Sequence, residues 1–219
     1  MTARTLGRYY GLLTLTVAIL LLTLGVLPSL MLPAGEPVVN WVLDGDWAAL
    51  STAAFVLGAL FPLVIVGLHS FQVQQTGVAG LIGFTLTFLG MLLLLNFQFD
   101  MAFVWPTLAN EMPRLLDFDG VMFHEPKFAF VHFWMDPVFT VGILVFGLST
   151  VRARVFPRWS GILFTIGMIL AGGILFPPLL LRLAGALCAT VALVRMGLVM
   201  LEGNPADVTP PRDWHLPHA

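Results

Sequence analysis

The chain has 219 residues, 58% of them hydrophobic and only 10% charged, with a formal net charge of −2. Ordinary globular proteins carry roughly a quarter charged residues, so a soluble domain is excluded, and the length leaves no room for a membrane bundle plus a folded soluble domain. The ten basic residues are scattered, with no basic stripe interleaved with aromatics, which excludes a nucleic-acid partner.

The first apolar run, Tyr9 to Leu32, follows Arg4 and Arg8. It is far longer than the roughly 7–15 residues of a signal-peptide core and long enough to cross about 30 Å of hydrocarbon as a helix. It reads as a retained span. No Asp, Glu, Lys or Arg occurs between Trp47 and Phe99, and further apolar runs follow Lys127. The hydropathy predicts six spans, at about 9–32, 48–70, 78–99, 129–151, 159–176 and 179–201. Each must be helical, because backbone polar groups in lipid have to be satisfied within the segment and barrel-type alternation is missing. The expected fold is therefore an all-α integral membrane bundle, a single domain over residues 1–201, with a disordered proline-rich tail over 202–219.

Small residues recur at helical spacing, as close backbone approach requires. Gly80, Gly83, Thr87 and Gly90 share one face of the third span, while Gly167 with Ala171 and Gly185 with Ala189 form small-xxx-small pairs in the last two. Packing within the chain is the expected use, with a homo-oligomer interface as the alternative. Cys188, the single cysteine, lies in an apolar run and reads as a small core residue. Gly58-Ala-Leu-Phe-Pro62 echoes Gly173-Ile-Leu-Phe-Pro177. Inverted repeats would pair their spans, but the match is five residues of common membrane composition.

Arg4, Arg8, Arg152, Arg154, Arg158, Arg195 and Arg212 fall on one side of six spans; Arg114, Lys127 and Arg182 fall on the other. The positive-inside rule then places both termini in the cytoplasm of a cell membrane. Two external loops result. The first carries Trp41 and Trp47; the second contains Thr107 to Phe118, a candidate short amphipathic helix with Leu108, Met112, Leu115 and Leu116 on one face. Pro106 would set its entry and Pro113 would limit its length.

Ionisable groups at membrane depth are the first functional candidates, because burial is costly unless they are paired. Asp136 lies inside the fourth run and Arg182 near the start of the last, at matched external depth, so the two are expected to pair. His132 precedes Asp136 by one helical turn, and Asn96, Gln98 and Asp100 end the third span on the same side. Asn96, Asp100, His132, Asp136 and Arg182 thus form a candidate polar pocket. His124, Glu125, His132 and Asp136 are its candidate metal-ligand types, although their spacing specifies no metal. Asp136-Pro137 is also a good helix start, with Asp as the N-cap and Pro in the first turn. At the cytoplasmic end His69 and Gln72 stand beside Arg152, Arg154, Arg158 and Arg195, a basic rim for anionic lipid headgroups.

A bis-His haem is disfavoured because His69 and His132 sit at opposite faces, and a retinal Schiff base because Lys127 is not in mid-span. No Gly-x-Ser-x-Gly, His-Glu-x-x-His or Walker motif occurs, and the sequence specifies no cofactor.

Ser149 to Gly167, STVRARVFPRWSGILFTIG, resembles the basic turn between helices in uncharacterised bacterial multipass membrane proteins. The resemblance implies a bacterial cytoplasmic membrane and no particular activity. The function expected from all of this is non-enzymatic: a small transporter or a subunit of a larger membrane complex, with lipids and a partner subunit or second copy as partners. The alternatives are an enzyme acting on a lipid or quinone at the external polar cluster, and a metal, haem or pigment protein.

Overall fold

The computed structural model describes residues 3–31, 37–117, 124–172 and 178–203. Among the described residues the chain is all-helical, with no strand. Helix α1 spans Ala3–Met31, the short α2 Val38–Leu43 and the long α3 Trp47–Phe99. A π-helical segment, Asp100–Val104, leads into α4, Trp105–Glu111, and a 3-10 turn, Pro113–Leu116. The remaining helices are α5, Pro126–Ala153, α6, Arg158–Gly172, and α7, Leu179–Glu202.

Four of these helical stretches are long and apolar enough to cross a membrane, and α6 is a shorter apolar helix. Gly77 breaks α3 with φ 59° and ψ −155°, a conformation open essentially to glycine alone. The two arms fold back on each other. His69 stacks on Phe84 with ring centroids 4.4 Å apart, Phe55 meets Phe99 edge-on, and Gln98 lies against Gly58. What is formally one helix is thus an antiparallel pair, matching the second and third expected spans.

Glycines set the crossings, because without Cβ atoms the helix axes come close enough for backbone-to-backbone contact. Cβ atoms at Gly83 and Gly90 would run into the backbone of α5 at Phe146 and Phe139, and one at Gly142 would strike Thr87. Gly167 and Gly185 interlock α6 with α7 in the same way. The small-residue faces read from the sequence are therefore spent within the chain, though Gly80 faces the Thr76 side chain just before the Gly77 break and not α5. Helix α7 returns to pack on α1, closing a ring around a core that includes Val64, Ile65, Phe146, Phe164 and Leu193.

The two ends differ. One gathers Gly7, Phe71, Gln72, Phe156 and Met200, linked by a Phe71–Phe156 ring stack and by Gly7 lying under Met200. Arg152, Arg154 and Arg158 are exposed there, and half-buried Arg195 pairs with Glu202 at 3.7 Å. The other end carries a cap in which Val38, Val42, Trp47, Trp105, Ala109 and Leu116 form a small second core. Trp47 stacks on Trp105 and donates its indole N–H to the Met101 carbonyl at 3.1 Å. The expected 107–118 helix is instead α4 followed by the 3-10 turn, because Pro113 lacks an amide hydrogen and Met112 turns out of helical geometry. Leu116 is buried as expected, whereas Met112 is exposed. The tail beyond Gly203 and the Gly173 to Pro177 half of the sequence echo lie outside the described residues.

Candidate functional site

A cavity of about 180 Å³ opens between α1, both arms of α3, α5 and α6. Its walls are apolar side chains, among them Leu21, Phe61, Met91, Phe139 and Met168, with small residues Gly58, Ala171 and Gly172 leaving the space. One polar side chain lines it, Gln98. The Gln98 amide lies where a Cβ on Gly58 would stand, and its buried Oε1 has no hydrogen-bond partner. The hairpin about Gly77 creates this meeting, since Gly58 and Gln98 lie at nearly equal distances on either side of the break.

A second polar group is buried toward the basic end. Gln72, fully buried, donates through Nε2 to the Thr150 hydroxyl at 2.8 Å, and Thr150 in turn donates to the Phe146 carbonyl at 2.9 Å. His69 is 7% exposed, flat against Phe84 and tilted toward Phe146, and its Nδ1 has no partner. Oε1 of Gln72 is likewise unpartnered. His69 and Gln72 are therefore not part of the basic rim. They point into the bundle because the turns that carry them face α5, while Gln74 and Gln75 face out.

No family model, curated protein or solved structure matches this chain.

The residues expected at the external pocket differ in exposure. Asn96 and Arg182 are exposed, Asp100 is half-buried in the π-helical segment, and Asp136 is half-buried within α5. The expected Asp136–Arg182 ion pair is not formed; an ion pair joins Arg195 and Glu202 instead. His132 lies in α5, but its side chain falls outside the described set. His124 and Glu125 are exposed at the start of α5, and among the described residues no three His, Cys, Asp or Glu side chains gather as a metal site would require.

The N-cap reading of Asp136 is corrected as well. Helix α5 begins eleven residues earlier, where the Glu125 carboxylate accepts from the backbone amides of Lys127 and Phe128 at 2.8 and 2.9 Å and Pro126 occupies the first turn. Both Glu125-Pro126 and Asp136-Pro137 carry start signals. The earlier one prevails because an unwound 126–135 would leave aromatic-rich backbone without partners, and an interior proline is tolerated in a membrane helix.

Sequence reasoning noted Gln98 and Gly58 separately, as a polar span end and as part of an echo. The signal that joins them is Gly77, whose role as a hairpin break would have placed them opposite each other.

Proposed function

We propose that this chain is a six-span integral membrane protein, with both termini on the cytoplasmic face of a cell membrane, that holds a small apolar molecule inside its bundle. It either carries that molecule or presents it to a partner subunit, and it is not itself an enzyme. The observation that carries this reading is the cavity of about 180 Å³, walled by apolar side chains from five helical segments and given a single polar contact, Gln98. Small-molecule sites are typically concave and mostly apolar with few polar groups, and helix bundles place them between helices. The gathering of Arg152, Arg154 and Arg158 at one end supports the orientation.

Two experiments test it. Solvent extraction of detergent-purified protein, read by mass spectrometry, should release a small apolar compound that Gly58→Leu, which fills the cavity, does not retain. Equal recovery from both proteins would refute the binding reading. In a Cys188→Ser background, a single cysteine at Gly45 should react with an impermeant maleimide on intact cells, and one at Arg154 only after lysis. The reverse pattern would overturn the orientation.

A further inference from the structure

We infer that Gln98 reads a carbonyl group, so that the occupant of the cavity is a carbonyl-bearing, lipid-soluble molecule. This rests on the binding reading above and narrows it to a ligand class. The cavity, about 180 Å³, is close to the roughly 150 Å³ apolar cavity that stays dry and admits benzene. It takes one substituted ring or a short chain segment, with the rest of a longer molecule left in the bilayer.

The lining names the chemistry. No charged side chain contributes to the walls, so an ion would lose its hydration there without compensation. A pure hydrocarbon would fill the space but ignore the one polar side chain. That side chain is oriented: its carbonyl oxygen is buried in the notch above Gly58, without a partner. The NH₂ end is the amide's remaining hydrogen-bonding group, and it carries two donors. A donor in an apolar wall selects an acceptor, and a ketone or ester carbonyl is a good acceptor with no hydrogen of its own to satisfy, so it costs less to strip of water than a hydroxyl or an amide. Two membrane-soluble compound classes supply it, quinones and acyl esters. Gly58 is part of the device, because any larger residue would evict the Gln98 amide from its notch.

The test uses the full chain in detergent and four probes: menadione, methyl octanoate and their hydrocarbon counterparts 2-methylnaphthalene and nonane, with binding measured by calorimetry. At least one carbonyl probe should bind about tenfold more tightly than its counterpart, the effect of one net hydrogen bond. Gln98→Leu should erase that preference while leaving hydrocarbon binding in place. Gln98→Met serves as a second variant of similar length should the leucine protein fail to fold. Preference for menadione assigns a quinone, preference for the ester an acyl chain, and equal preference the carbonyl alone. If hydrocarbons bind as tightly as carbonyl probes, or the preference survives both substitutions, the inference is wrong while the binding reading stands. If none of the four binds, both fall.

Discussion

Gly11 and Gly197 face each other across the crossing of α1 and α7, and each one's carbonyl oxygen lies only 2.9 or 3.0 Å from where the other's Cβ would stand. The contact is reciprocal and made of backbone, which cannot swing aside as a side chain can. This crossing joins the first helix to the last and so closes the ring.

Enlarging either glycine should therefore open the ring. Gly197→Val is expected to destabilise the detergent-solubilised protein by about 1–3 kcal/mol, the usual cost of overpacking, seen as a lowered Tm. Gly45→Val is the control, since nothing lies within 4 Å of its side-chain position. Equal effects of the two substitutions would show that the crossing is not tight.

Gly77 separates conformation from crowding. No atom lies within 4 Å of a Cβ added there, yet its φ of 59° lies where L-residues are strained. Gly77→Ala should cost about 1–3 kcal/mol through backbone strain alone. If thermal unfolding of Gly77→Ala matches the parent, the fold-back of α3 does not depend on this residue.

The Gln72–Thr150 hydrogen bond ties the first arm of α3 to α5. A double-mutant cycle with Gln72→Leu and Thr150→Val, followed by denaturant titration, should give a coupling of about 0.6 kcal/mol, the average for membrane interiors, with an upper bound near 1.7. Zero coupling would remove this bond as a determinant of the packing. His69→Phe, which removes the unpartnered Nδ1 and retains the stack on Phe84, should leave stability unchanged or raise it.

The start of α5 gives a direct contrast between two carboxylates. Glu125→Ala should cost about 0.5–2 kcal/mol, as cap removals do, because two backbone amides lose their acceptor. Asp136→Ala should not shorten the helix, since the cap is eleven residues away. Amide exchange over 126–135 in the parent protein is the deciding measurement: protection there fits the start at Pro126, whereas rapid exchange up to Asp136 would restore the later start.

What could be read directly from residues was whatever lipid imposes locally. Charge-free runs longer than a bilayer require helices, small residues at helical spacing require close crossings, and Arg152, Arg154 and Arg158 stay together in one short segment whatever the packing. The Gly83–Thr87–Gly90 face was recognisable in this way because its period alone identifies it, and Pro106 and Pro113 marked the limits of α4 for the same local reason. The candidate site was not legible. His69 and Gln72 sit near a span end in the sequence, where exposure to headgroups is the ordinary expectation, and only the rotation of their helix against α5 turned them inward. Asp136 and Arg182 share an expected depth, but depth leaves open which helices become neighbours, and α5 and α7 do not pack side by side. The meeting of Gly58 with Gln98 depends on where α3 folds back and on which faces of its arms come together. Hydropathy sees distance along the membrane normal. Sites inside a bundle are set by rotation about it, which tertiary packing alone decides.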